Sequence, residues 1–285
     1  MAARHDNEGE LESLVSGKAS VDRPVYYMPC YARRRCLAPS ADHDTLTRIR
    51  MTSAWCTEDA MNYIPEANYF AGQVNKMRQA FASSVAANKI KLARGWGEPC
   101  CAYNLYIALD CRVKDELARV QEYIMEGERS LLQVPGYALH INVAWLLPVH
   151  ESSAPSKSAV WEANKERWNF EVEHALAGTG RFVLTFRSVI ATDSAVIAVA
   201  EPAAEVNRFR EILAETLAVP WDICRGDLVH STIFRYARPL EEPAELLSRL
   251  AGIRLSAEVS VEEIILVREK KFPSLEFDVL RNYPL

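Results

Sequence analysis

The sequence predicts an α+β protein with antiparallel or mixed sheets, on three observations. Apolar runs of strand length alternate with runs of helical periodicity along most of the chain. Several strand-like runs are joined by turns of hairpin length rather than by crossovers. Two of the runs carry a histidine near their start and lie in similar surroundings, which suggests an internal duplication whose two histidine strands are pseudo-equivalent.

The elements follow in order. Residues 1–20 are polar and rich in Gly and Ser, and are expected to be a mobile tail. Residues 21–97 are expected to form an N-terminal extension, with a short strand at Tyr26–Met28 and a helix from Asn68 to Leu92. That helix carries Phe70, Val74, Met77, Phe81 and Val85 on one face. Gly95-Trp96-Gly97-Glu98-Pro99 breaks the pattern and sets the boundary of a main domain, 98–285. Within it, Cys101–Leu109 reads as a strand and Val113–Leu132 as a helix with Leu117, Val120, Ile124 and Leu131 on one face. The first histidine strand begins near Tyr137 and ends at Pro148. A loop at Ser152–Ser156 precedes a helix over Ala159–Ala177, closed by Gly178 and Gly180. Phe182–Phe186 and Val196–Ala200 read as a hairpin, and Ala203–Leu217 as a helix. After Arg225-Gly226-Asp227 comes the second histidine strand, then a short helix over Glu242–Leu250. Two final strands span Ser260–Arg268 and Ser274–Leu280.

Bulk properties narrow the function classes. The chain has 285 residues, 49% hydrophobic and 25% charged, as an ordinary globular protein has. No apolar run reaches the ~20 residues of a membrane span, and the N-terminus lacks the apolar core of a secretory signal. Seven irregularly spaced cysteines read as free thiols, so the expected compartment is the cytoplasm. A net charge of −5 argues against duplex DNA or long RNA as a partner, although a small anion needs only a local cationic pocket.

The chemistry-bearing residues lie on the two histidine strands. Residues i and i+2 of a strand share a face. His140-Ile141-Asn142 therefore presents an imidazole beside an amide, and His230-Ser231-Thr232 an imidazole beside a hydroxyl. Two such pairs across a groove supply two proton-transfer groups and two donors for a phosphate. Arg235 lies five residues after His230, on the opposite face of an unbroken strand, so a bulge or a strand end is needed to bring it into the groove. Tyr103, on the first strand of the main domain, is a candidate for stacking on a base. Cys30, Cys36 and His43 do not have the spacing of a zinc knuckle, and no metal site is expected. The cluster Arg33-Arg34-Arg35 reads as a solvated loop that could contact a phosphate. His150 and His174 read as surface residues.

From about Pro99 to Leu285 the chain resembles the 2H phosphoesterase superfamily, which contains the 2′-5′ RNA ligase-like and cyclic phosphodiesterase proteins. The resemblance rests on His140-Ile141-Asn142-Val143 and His230-Ser231-Thr232-Ile233, taken as the family's two His-x-Thr/Ser-x motifs. It implies a bilobal fold of two pseudo-equivalent antiparallel or mixed sheets flanked by helices, here with an N-terminal helical extension, with His140 and His230 as general acid and base, and Thr232 and Asn142 on the non-bridging oxygens of a phosphate. It also implies no metal and no nucleotide cofactor. The implied substrate is a cyclic or 2′-5′ phosphodiester of a small nucleotide, an RNA end or a related metabolite. Asn142 stands where the family has Thr or Ser, so a nucleotide- or phosphate-binding protein without turnover is the alternative. A third reading is a hydrolase using a cysteine nucleophile such as Cys224 with one of the histidines. Neither the oligomeric state nor the role of residues 21–97 follows from the sequence.

Overall fold

A computed structural model describes residues 66–149, 156–217, 219 and 228–285, all within the unit Asp59–Leu285. The expectations at residues 1–65, at His150 and most of the 152–156 loop, and at Cys224 and 225–227 lie outside these residues.

The described chain is an α+β fold with two antiparallel sheets. Its elements are α1 (Glu66–Ala86), β1 (Pro99–Ala108), α2 (Cys111–Met125), β2 (Leu131–Gln133), β3 (His140–Leu147), α3 (Lys157–Leu176), β4 (Phe182–Ala191), β5 (Ala195–Ala200), α4 (Ala204–Thr216), β6 (Val229–Tyr236), α5 (Pro243–Gly252), β7 (Ala257–Val261), β8 (Glu263–Lys271) and β9 (Glu276–Pro284). One sheet has the order β3-β1-β8-β9 and the other β2-β6-β5-β4-β7. Each histidine strand thus belongs to a different sheet, and β3 and β6 lie against each other across the junction.

Three local expectations are corrected, the first being the helix predicted to reach Leu92, which ends at Ala86 and leaves Leu92 in a bridge to Tyr236. The helix predicted to reach Leu132 stops at Met125, and Leu131–Gln133 forms the edge strand β2 beside β6. Leu131 is buried, so its fit to the helical stripe came from a core position on a strand. The run predicted as one strand from Ser260 contains two. The chain leaves β7, paired with β4, and enters β8, paired with β1, across Glu262. Alternation is continuous through a point where the chain changes sheets, so periodicity alone could not divide it.

Packing follows the alternation of each strand. Behind the first sheet, α3 sets Trp161 flat on Tyr103 at 4.6 Å between ring centroids. Behind the second, Leu117, Ile124 and Leu246 join Phe186, Val196 and Ala198 in the main core. The other face of β4 and β5 is covered by α1: Phe70 and Val74 are buried with Ile190, Ala195, Ile197 and Val199, and Met77 and Leu228 pack on them. Val199 and Ile197 pair with His230 and Thr232, so α1 lies on the histidine-bearing face of this sheet. After α1 the chain is tied down at Asn88, whose side chain exchanges hydrogen bonds with the backbone of Leu240 at 2.9 and 2.8 Å. It then bridges to Tyr236 through Leu92. Among the described residues no helix is long and apolar enough to cross a membrane.

Candidate functional site

The two histidine strands share a construction that the sequence does not display. In β3, Tyr106 pairs with Asn142 but Leu105 with Ala144, leaving Val143 as an extra, bulged residue. In β6, Ile197 pairs with Thr232 but Val196 with Phe234, leaving Ile233 in the same role. A bulge resets the side-chain alternation of its strand. Each motif therefore presents three positions on one face: His140, Asn142 and Trp145 on β3, and His230, Thr232 and Arg235 on β6. The bulge that Arg235 needs to join His230 is present.

Backbone carbonyls support both rings. His140 Nδ1 lies 2.7 Å from the carbonyl oxygen of Ala138, two residues earlier. Donation there leaves Nε2 as the atom free for chemistry. The Leu228 carbonyl, again two residues earlier, favours the protonated form of His230, although Nδ1 completes no well-formed hydrogen bond among the described residues. His140 also stacks on Tyr106, with ring centroids 3.8 Å apart and planes inclined by 19°.

Both imidazoles titrate low. Burial is the main cause for His140, opposed by the Ala138 carbonyl and reinforced by Arg235, and its pKa falls to about 4. For His230 burial again leads, followed by the charges of Arg210 and Arg235, also to about 4. His140 lowers His230 further, so the two rings are near enough to sense each other's charge.

Arg235 is held beneath this pair. Its Nη1 donates to the Ser194 carbonyl at 3.4 Å, and its guanidinium lies 5.8 Å from the Phe272 ring centroid, in the turn between β8 and β9. Burial lowers its pKa, and the nearby Glu269 carboxylate counters this. Glu269 is itself buried in a polar nest. Its carboxylate accepts from Asn104 Nδ2 at 3.1 Å, the Tyr106 hydroxyl at 3.5 Å and the Ser274 backbone N–H at 2.6 Å. Burial raises its pKa, against these hydrogen bonds. Ser274 takes the left-handed conformation, φ 56°, that aims its N–H at Glu269, while its Oγ meets the Tyr106 hydroxyl at 2.6 Å.

Of the residues singled out from the sequence, His140 and Asn142 share one face of β3, and His230, Thr232 and Arg235 share one face of the neighbouring β6. Tyr103 does not join them: it lies on the opposite face of β1, buried against Trp161, and Tyr106 is the aromatic that meets the histidine. Strand alternation is the physical reason, since Asn104 and Tyr106 share one face and Tyr103 and Leu105 the other. The polar pair Asn104 and Tyr106 inside an apolar strand was the available signal. Glu269 carried none, because it sits in the charged run Arg268-Glu269-Lys270-Lys271 that reads as a solvated strand end. His174 is a surface neighbour of Phe170 on α3. Among the described residues, no three His, Cys, Asp or Glu side chains gather as metal ligands would. A surface cavity of about 450 Å³ lies between the end of α3 and the end of β9, and none of the histidine-face residues lines it.

No family model and no curated protein matches the chain. Several solved structures are similar to it. TT0787 of Thermus thermophilus aligns at 20% identity and a TM-score of 0.47, over 65% of this chain and 97% of that one. Apo LigT of E. coli aligns at 15% identity and 0.43, over 66% and 99%. LigT complexed with 3′-AMP aligns at 16% identity and 0.44, over the same shares.

Proposed function

We propose that this protein is a phosphoesterase that opens a cyclic 2′,3′-type phosphodiester, or cleaves a 2′-5′ one, on a small nucleotide, an RNA end or a related metabolite. The observation that carries this reading is the paired construction of β3 and β6. Each places a histidine, a hydrogen-bonding side chain two residues on and a bulge at the same spacing, and the two strands lie against each other where the sheets meet. One imidazole takes a proton from the attacking water as oxygen bonds to phosphorus. The other gives a proton to the leaving sugar oxygen as its bond to phosphorus breaks. Asn142, Thr232 and Arg235 hold the non-bridging oxygens and stabilise the charge that gathers there. This division supplies both proton transfers from the chain's own residues, so the reading calls for neither metal nor cofactor.

The test is hydrolysis of a panel of 2′,3′-cyclic nucleotides and short 2′-5′ oligonucleotides in chelator, with the wild type beside the double variant H140A/H230A. Chelator-resistant turnover that the double variant loses is the expected result; full turnover in the double variant would sink the mechanism. The presence of an amide at Asn142 favours a second reading, a phosphate-binding protein without turnover. In that case the wild type binds 2′-AMP yet forms no product, and Asn142→Thr restores measurable hydrolysis.

A further inference from the structure

A bulge leaves backbone groups outside the regular ladder, and buried ones need partners. The two bulges meet this need in parallel ways. On β3 the Val143 carbonyl accepts from Arg210 Nε of α4 at 2.8 Å, and the same guanidinium reaches the carbonyls of Asn142 at 3.1 Å and Leu228 at 3.3 Å. On β6 the Ile233 carbonyl accepts from Gln121 Nε2 of α2 at 2.8 Å and from the Val134 N–H at 3.0 Å. Gln121 is 1% exposed on an otherwise apolar helix face. Its Nε2 also serves the Val134 carbonyl at 2.8 Å, and Gln133 donates to its Oε1 at 3.1 Å, so the amide's orientation is fixed from both ends.

We propose that Gln121 is a positioning residue for the candidate site, locking the Ile233 bulge and so keeping Arg235 on the histidine face of β6. The geometry requires such a lock. Without the bulge, Arg235 stands five residues from His230 on a regular strand and points into the core side. The hydrogen bonds of Gln121 go to the Val134 and Ile233 carbonyls and to Gln133, so it acts on the histidine face through Arg235. Arg210 does the corresponding work at Val143, but its own charge reaches His230, so Gln121 is the cleaner residue to test. The inference rests on the reading of Arg235 as the anchor of a phosphate, while its test does not require turnover.

The experiment is an NMR titration of the His140 and His230 rings in the wild type, Q121M, R235M and the double variant. The groups facing His140 are Tyr106 from β1, Arg235 and His230 from β6; those facing His230 are Arg210 from α4, Arg235 and His140. Losing the Arg235 charge raises the midpoint of His140. If Gln121 holds Arg235 there, Q121M raises it too, and the double variant goes no further than R235M alone. Gln133→Met, which removes the partner of Gln121 Oε1 and leaves the Ile233 contact, leaves the midpoint where it was. A folded Q121M with an unchanged His140 midpoint, or shifts that simply add in the double variant, would overturn the proposal. Should Q121M not fold, Gln121→Asn withdraws the same donor by one methylene and is read in the same way. In turnover, Q121M is expected to lower kcat/KM on the order of 10- to 100-fold, and by less than about 2-fold in the R235M background. Titrations that behave as expected in a wild type without turnover would leave Gln121 as the lock and refute the phosphoesterase reading instead.

Discussion

His140→Ala and His230→Ala are each expected to lower kcat on a 2′,3′-cyclic nucleotide by about 10²–10⁴-fold, the range of one positioned proton-transfer group. The double variant should fall little below the weaker single one, because both groups serve the same transition state. The single variants also separate the two roles. The variant that has lost the base loses the limb of the pH profile on which rate rises with pH, and the variant that has lost the acid loses the falling limb. With both free rings near pKa 4, the acid is largely deprotonated at neutral pH. A bound phosphate diester, placing its negative charge beside the rings, must raise one of them for turnover at pH 7. The kcat profile should accordingly centre at higher pH than the kcat/KM profile. Coincident profiles, or single variants retaining more than a tenth of wild-type kcat, would refute the pairing.

The second large effect is on stability in acid. Each histidine falls from about 6.5 unfolded to about 4 folded, so below pH 6.5 the unfolded chain binds more protons than the native one. Stability is then unaffected above pH 6.5 and declines as pH falls toward 4. A shift of this size corresponds to about 3 kcal/mol per ring. Both rings are half-buried rather than sealed, so that figure is a ceiling. Two such contributions amount to a large share of a typical domain's stability. Urea denaturation at pH 7.5, 6.0 and 5.0 should show the midpoint dropping across the series, with most of the drop absent in H140N/H230N. An equal drop in that variant would place the acid sensitivity elsewhere, first at Asp278, whose carboxyl is held low by Lys270 and Arg268; Glu269, raised by burial, acts in the opposite direction.

The strands and helices of the main body were legible because their periodicities are strong and their breaks carry Gly or Pro. The pairing of strands into two sheets was not, since Ser260–Arg268 alternates without interruption through the point where the chain changes sheets. The site divided along the same line. His140, Asn142, His230 and Thr232 were readable because i and i+2 share a face on any strand. Arg235 was readable only as a condition, because whether residue i+5 joins that face depends on a bulge, and the bulge is set by Gln121, over a hundred residues away. Tyr103 was assigned to the wrong face for the complementary reason: an aromatic strand offers two faces, and only the partners across it, Trp161 on one side and His140 on the other, decide which is which.

The covering of β4 and β5 by α1 bears on where the chain can be shortened. The break at Gly95-Trp96-Gly97-Glu98-Pro99, just before β1, invites expression from that point. Such a protein would bare Ile190, Ala195, Ile197 and Val199, an apolar strip two strands wide, beside His230. It would also lose the Asn88 and Leu92 ties to Leu240 and Tyr236. Strips of this kind on a sheet are sticky surfaces, so a product starting at residue 98 should self-associate where one starting at residue 66 stays dispersed. The shortest useful version of this protein therefore begins with a helix that contributes no residue to the histidine motifs.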